Sequence, residues 1–270
     1  MIYHETEHGI LYCGDCLDIM RTFHDDYIDL TITSPPYDGL RKYNGYSFDF
    51  ENIAPELYRI TKSGGVLVWV VGDACIDGSE TGTSFRQALY FKEVGFNLHD
   101  TMIFVKNGYP FPEKTRYNQA MEYMFVLSKG KPKVFNPIKE KTLNRVNNRK
   151  SAYRQSDGTM KTEVVTYGEN KNKTNVWKYG VGYMQTTKDK NAYKHPAMFP
   201  EQLAADHILS WSNPGDVVFD PFIGSGTTAK QAIMLGRKYI GCEISEEYCE
   251  LAAMRLEIEL DQTDLFRKEQ

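Results

Sequence analysis

The sequence predicts an α/β fold: a mostly parallel sheet with helices on both faces, interrupted by a basic insertion. Segments with strand and helix periodicity alternate at both ends of the 270-residue chain. The longest apolar run, "VLVWVV" at 66–71, has the length of a strand buried on both faces and is far too short for a membrane span. From Lys131 to His195 the alternation stops. There, fifteen Lys and Arg stand against five Asp and Glu, so the stretch carries +10 in a chain of formal net charge −4.

The elements follow in order. "GILYCGD" is a strand running into a turn at Gly14-Asp15, "CLDIMRTF" a short helix, and "IDLTITS" the next strand. "FENIAPELYRITKSGG" is an amphipathic helix with Ile53, Leu57 and Ile60 on its inner face, ending at Gly64-Gly65. "VLVWVVGD" is a buried strand and "TSFRQALYFKEVGF" a helix, followed by strands in "LHDTMIFVKN" and "AMEYMFVLSKG". After the basic stretch, "FPEQLAADHILSWS" is a helix, with Leu203, His207 and Leu209 as inner-face candidates. "DVVFDPF" is a strand, "GSGTTAKQAIMLG" a turn opening into a helix, "RKYIGCEI" a strand, and "SEEYCELAAMRLEIEL" a helix with Ser245 as N-cap. Composition is ordinary, at 41% hydrophobic and 25% charged, so a sizeable core can be buried.

The first residues lack the basic-then-apolar pattern of a secretion signal, and no membrane partner is expected. Five cysteines without framework spacing suggest reduced thiols in a cytoplasm. Cys13 and Cys16 form one C-x-x-C without a second ligand pair, so no metal is expected. A basic block inside an otherwise acidic protein suggests a local polyanion contact, against the plainer reading of a solvated loop.

Two stretches carry chemistry. "VVFDPFIGSGTTA" places Gly224, Gly226 and Ala229 between a strand and a helix, with Glu243 ending the next strand. That is the pattern of a loop binding an adenosine-bearing ligand: small residues admit the ligand to the backbone, and the carboxylate can accept from ribose hydroxyls. A nicotinamide dinucleotide fits this loop alone. Asp220, just before it, repels a pyrophosphate but suits the ammonium group of an amino acid attached to adenosine, as in S-adenosyl-L-methionine. The second stretch is Ser34-Pro35-Pro36-Tyr37, at the end of a strand. Adjacent prolines cannot continue a sheet and leave a stiff corner carrying a hydroxyl, bare carbonyls and a ring.

Ser34-Pro35-Pro36-Tyr37 followed by Asp220-Pro221-Phe222-x-Gly224-Ser225-Gly226-Thr227-Thr228 resembles the amino-group DNA methyltransferases, which methylate cytosine N4 or adenine N6. The order, with a basic segment between the motifs, resembles the family's β group. The resemblance implies a Rossmann-like methyltransferase fold with a seven-stranded sheet and S-adenosyl-L-methionine as cofactor. It divides the chain into a catalytic half at 1–130, a target-recognition insertion at 131–194 and a cofactor-binding half at 195–270. "YCGDCL" resembles the family's segment near the cofactor adenine and implicates Asp15. "HPAMFPEQL" resembles a segment near the methionine end and implicates His195, Pro196 and Phe199, with Pro200 in the later proline slot. Cofactor contacts are thus expected at Asp15, His195, Pro196, Asp220, Pro221, Phe222, Gly224, Ser225, Gly226, Thr227 and Glu243.

The corner then has a chemical role. An exocyclic amine is a poor nucleophile because its lone pair is delocalised into the ring. Ser34 Oγ and the Pro35 carbonyl can accept its two N–H groups, while Tyr37 stacks on the base, so positioning and directed dipoles supply the catalysis. The base must leave the duplex. Arg41, Lys42 and Tyr43, with Tyr46, are candidates for that step. Arg145, Arg149, Lys150 and Arg154 are candidates for phosphate contact, and Asn144, Asn147 and Asn148 for base reading. Ser at the first tetrapeptide position favours cytosine N4 by family correlation, with adenine N6 the alternative. The expected partner is double-stranded DNA, in the cytoplasm of a bacterium or archaeon or from a phage. A homodimer and a separately acting restriction endonuclease are further expectations. Rival readings are an RNA or protein-glutamine methyltransferase, a nicotinamide-dependent oxidoreductase, and a DNA-binding module without catalysis.

Overall fold

The computed structural model describes residues 1–36, 48–108, 115–142, 149–165, 168–195 and 198–268, without the side chains of Arg149, Val165 and 262–268. The chain forms two compact units. The larger comprises Met1–Asn136 and Asn175–Gln270, the smaller Pro137–Thr174.

The larger unit begins with β1 (Ile2–Thr6), β2 (Gly9–Cys13), α1 (Cys16–Met20), β3 (Ile28–Thr33), α2 (Phe50–Ile60) and β4 (Thr61–Val71). A small hairpin of β5 (Cys75–Ile76) and β6 (Ser79–Glu80) leads to α3 (Thr83–Val94), β7 (Asn97–Lys106) and β8 (Met121–Ser128). The smaller unit holds β9 (Lys139–Lys141), β10 (Arg149–Arg154), β11 (Met160–Val165) and β12 (Asn170–Asn172). The larger unit resumes with β13 (Val176–Tyr179), a 3-10 turn (Asn191–Lys194), α4 (Glu201–Trp211), β14 (Val217–Asp220), α5 (Thr227–Met234), β15 (Lys238–Glu243) and α6 (Glu246–Lys268).

Among the described residues its sheet has nine strands in the order β1-β2-β15-β14-β3-β4-β8-β7-β13. β2, β15, β14, β3 and β4 run parallel. β8 is antiparallel to both β4 and β7, and β13 pairs parallel with β7. The sheet is therefore mostly parallel, as expected. The seven expected strands lie contiguously from β2 to β7, and each edge carries one more. β1 is short and mostly exposed, so its apolar signal is weak. β13, "VWKY", lies in the basic stretch and buries only Trp177 and Tyr179. Residues 175–194 thus belong to the sheet unit.

α1, α2 and α3 form one helical layer, and α4, α5 and α6 another. Alternate residues of β4 serve the two: Leu67, Trp69 and Val71 join the core with Ile53, Leu57 and Ile60 of α2, and Val66, Val68 and Val70 are buried on the other face. β4 starts at Thr61, earlier than the apolar run suggests. Thr61 closes α2 by donating its N–H and its hydroxyl to the Leu57 carbonyl, the hydroxyl at 2.6 Å, and passes directly into the strand. In α4, Leu203 and His207 are buried as expected, but Leu209 is 38% exposed. The inner stripe runs instead through Leu203, His207, Ile208 and Trp211. The Ser245 carbonyl receives the Cys249 N–H at 2.9 Å at the start of α6. In the smaller unit, β10 and β11 form an antiparallel hairpin and β9 pairs antiparallel with β12.

Trp69 is fully buried at the centre of this core and packs against Phe48, Phe50, Phe91 and Phe222. Its indole N–H donates to Gln87 Oε1 on α3 at 2.9 Å, which satisfies a polar group that burial would otherwise penalise. Gln87→Leu should therefore destabilise the protein by about 2 kcal/mol, whereas in a Trp69→Phe background the same change should cost less than about 1 kcal/mol. Urea unfolding of the four proteins tests the coupling, and equal costs in both backgrounds would refute it.

Candidate active site

β3 and β14 are parallel neighbours, with Leu30 opposite Val218 and Thr31 opposite Phe219. Their carboxyl ends therefore emerge side by side, where open α/β sheets hold their ligands. The corner Ser34-Pro35-Pro36 leaves β3 and the glycine loop leaves β14. Ser34 and Pro36 are half-buried and Pro35 is buried.

One carboxylate joins the two. Asp220, 1% exposed, accepts the Thr33 hydroxyl at 2.7 Å, the Thr228 hydroxyl at 2.6 Å and the Phe222 N–H at 3.0 Å. Burial pushes its pKa up to about 6, while the bonds from Thr228, Thr33 and Phe222 pull the other way. The carboxylate expected to meet an ammonium group is thus turned inward, onto the residue before the proline corner and the first turn of α5.

The loop after it needs glycine. Gly224 and Gly226 have φ of 50° and 82°, the left-handed region that L side chains seldom adopt. A Cβ on Gly224 would also lie 2.9 Å from His195 Nε2. His195, buried, therefore stands directly against the loop, and its ring meets Tyr248 of α6 edge-on at 4.4 Å. Ser225 and Thr227 are buried, and Phe222 packs its ring against Phe48.

Glu243 ends β15 beside the loop. Its carboxylate accepts the Gly224 N–H at 3.0 Å and the Ser245 N–H at 2.9 Å, and burial raises its pKa against those bonds. Its carbonyl accepts the Gly14 N–H at 2.9 Å, which brings the next residue, Asp15, to the same edge. Asp15 is exposed and caps α1 through the Leu17 N–H at 2.7 Å.

The carboxyl edge of β2, β15, β14 and β3 thus gathers Asp15, Glu243, Asp220, Pro221, Phe222, Gly224, Ser225, Gly226, Thr227, Ser34, Pro35 and Pro36, with His195 against the loop. Tyr37, Arg41, Lys42, Tyr43, Tyr46, Asn144, Arg145, Asn147, Asn148 and Pro196 lie outside the described residues. Arg149, Lys150 and Arg154 are on β10 of the smaller unit, where the Lys150 and Arg154 side chains are exposed. Sequence reasoning missed Thr33, Thr228 and Arg255. Thr33 could have been found as a polar residue flanking the proline motif in a buried strand, and Thr228 stands inside the glycine motif, where it was given no role. Arg255 could have been found as a charge beside the buried stripe Cys249-Ala252-Leu256 of α6.

A family model described as DNA methylase matches residues 28–254. The chain belongs to the DNA methylase family. The orphan methyltransferase M.BamHII of Bacillus amyloliquefaciens is 59% identical over 240 residues, covering 86% of this chain and 89% of its own. The type II methyltransferase M.ScaI of Streptomyces caespitosus is 28% identical and covers 95% of this chain and 84% of its own. The structure of the cytosine-N4-specific PvuII DNA methyltransferase matches with a TM-score of 0.69 at 22% identity, covering 93% of this chain and 86% of that one. A Thermus thermophilus protein complexed with S-adenosyl-L-methionine matches with a TM-score of 0.60 at 23% identity, covering 93% and 95%. At these identities the two structures speak to the fold. This DNA methylase is a site-specific DNA methyltransferase of the N4-cytosine/N6-adenine type.

In the methylase, Asp220 makes a pH signature. Its folded pKa of about 6 lies above its ordinary 3.8, so the folded protein holds the proton more tightly between those values. The carboxyl contributes stability at low pH, and that contribution is lost as pH rises through about 6, a change of about 3 kcal/mol. Asp220→Asn has no such titration. Its stability relative to the parent should rise by most of that amount from about pH 4 to about pH 7. Parallel stability curves for the two proteins in urea would contradict the burial argument.

Proposed function

We propose that the methylase transfers the methyl group of S-adenosyl-L-methionine to the exocyclic N4 of a cytosine flipped out of duplex DNA. The observation that carries this reading is the Thr33–Asp220 hydrogen bond, which holds the proline corner and the glycine loop at one edge of the sheet.

The donor set suits this cofactor. The half-buried Glu243 carboxylate keeps lone pairs for ribose hydroxyls beside Gly224, and Asp15 stands next to it for the adenine end. His195 and the loop from Pro221 to Thr227 bound the remainder. Asp220 acts through its charge and the loop geometry it imposes: three carboxylates at this edge, with Glu243 and Asp15, disfavour a pyrophosphate and favour a cation. When bound, S-adenosyl-L-methionine supplies an electrophilic methyl on a sulfonium.

The protein's own work is on the base. Ser34 Oγ and the Pro35 carbonyl accept the two N–H groups of the amine and concentrate its lone pair outside the ring, and Tyr37 stacks on the base. The prolines fix the direction of the carbonyl dipole before the base arrives, so little reorganisation remains for the reaction. The proton leaves after transfer, when the nitrogen has become acidic, so no strong base is needed. Ser34 in place of Asp or Asn favours cytosine over adenine. The smaller unit holds DNA, with Arg149, Lys150 and Arg154 on phosphates, and residues 41–43 assist base extrusion. The relatives' names support a role in DNA modification, either beside a separate endonuclease or alone. The five free thiols fit a cytoplasmic setting.

Purified protein incubated with unmodified duplex DNA and S-adenosyl-L-methionine, followed by nuclease digestion and mass spectrometry, should yield N4-methylcytosine. Recovery of N6-methyladenine alone would overturn the choice of base. Ser34→Ala should lower the single-turnover rate by about a hundredfold and leave cofactor affinity within about twofold, whereas Glu243→Ala should weaken cofactor binding. The reverse pattern would mean that the two stretches have exchanged roles.

A further inference from the structure

We infer that Arg255 is a positioning residue for the cofactor: from α6 it holds the glycine loop and the segment leading to His195 in their binding arrangement. The inference rests on the reading of that loop as the S-adenosyl-L-methionine site.

The Arg255 side chain is fully buried. Its Nη1 donates to the Ser225 carbonyl and, at 3.1 Å, to Ser225 Oγ. Its Nε donates to Asp189 Oδ2 at 2.6 Å, and its Nη2 to Glu201 Oε1 at 3.0 Å. A planar guanidinium can meet three partners in fixed directions, which a lysine ammonium cannot reproduce.

Each partner sits at a boundary of the site. The Ser225 carbonyl belongs to the peptide entering Gly226, the left-handed residue that caps α5. Gripping that oxygen sets the plane of the peptide and hence the turn. The other oxygen of Asp189 accepts the Asn191 N–H at 2.9 Å. Asn191 opens the 3-10 turn that ends at His195, whose ring lies against Gly224. Glu201 is the first residue of α4, and its carboxylate also takes the Thr187 hydroxyl at 2.8 Å and Lys230 Nζ of α5 at 3.2 Å. One guanidinium therefore braces both sides of Gly224 from behind, without facing the ligand.

A buried cation between two carboxylates is not a good route to stability, because apolar side chains of similar volume do as well or better. What it supplies is direction. Without it the loop samples other arrangements, and the apparent dissociation constant rises by the inverse of the competent fraction.

The test is calorimetric titration of S-adenosyl-L-methionine, with DNA affinity and methyl-transfer rate at saturating cofactor measured alongside. R255K keeps the charge and loses the fork. It should raise the dissociation constant about tenfold while DNA affinity and the saturated rate stay within about threefold. R255M alone strands two half-buried carboxylates, so the second variant is R255M with D189N and E201Q, which should show the same selective loss. Parent-like cofactor affinity in both variants would overturn the inference. So would equal losses of cofactor affinity, DNA affinity and rate, or loss of the fold in R255K, since each would mean Arg255 serves general stability. If the parent protein itself binds no S-adenosyl-L-methionine, the cofactor reading fails first and takes this inference with it.

Discussion

The site depends on one buried carboxylate. Asp220 is almost without solvent contact, and its hydroxyl partners, Thr33 and Thr228, come from stretches nearly two hundred residues apart in the chain. Burying a charge is unfavourable, and the pKa of this carboxyl is pushed up despite the three hydrogen bonds that oppose the shift. An apolar pair at the same place would stabilise the fold at least as well, but would not lock the end of β3 to the first turn of α5. The carboxylate has acceptor directions, and those directions set the spacing between the proline corner and the glycine loop.

That lock works because the sheet has already brought its partners close. The parallel run from β2 to β3 puts four carboxyl ends in a row: three lead to a carboxylate, Asp15, Glu243 and Asp220, and the fourth to the Ser34 hydroxyl. Beneath Asp220, Phe222 packs on Phe48 and Trp69, so the loop is held by apolar contact from one side. Behind it, Arg255 holds the Ser225 carbonyl from α6. The loop is therefore fixed by three kinds of interaction, and Gly224 and Gly226 allow it to take the path those interactions require.

Much of this was legible in the sequence, for physical reasons. Long apolar strands such as 66–71 must be buried, and a proline pair at a strand end must turn, so the sheet and both motifs could be placed from residue type alone. The edge strands could not. β1 and β13 are short and half-polar, and their pairing is decided by the neighbours they find. Leu209 illustrates a second limit: helical spacing gives a stripe, but a leucine at its margin is settled by packing, and here Ile208 and Trp211 take the inner places. Asp220 illustrates a third. Its residue type and position announced a charge at the loop, while its inward direction depends on Thr33 and Thr228, which only the fold brings together. Arg255 is the extreme case, since its three partners lie in three separate stretches of the chain: the glycine loop, the segment before the 3-10 turn and the start of α4.

The point at which the smaller unit interrupts the chain follows from the same geometry. The chain leaves the larger unit after Asn136 and returns before Asn175, and both of these residues are pinned within that unit. The Asn136 side chain donates to the Leu209 and Ser212 carbonyls at the end of α4, and that of Asn175 to Asp100 of β7 at 3.1 Å. The sheet strands flanking the insertion, β8 and β13, belong to the end of the sheet built around the β7–β8 hairpin. None of them pairs with β3 or β14. Among the described residues, no strand within 137–174 pairs with the nine-stranded sheet, so no described backbone ladder runs from there to the Thr33–Asp220 contact. A methylase built this way can alter its basic insertion while the Asp220 lock stays fixed, because the chain enters and leaves the insertion through anchored residues and, among the described residues, no strand is shared between the two.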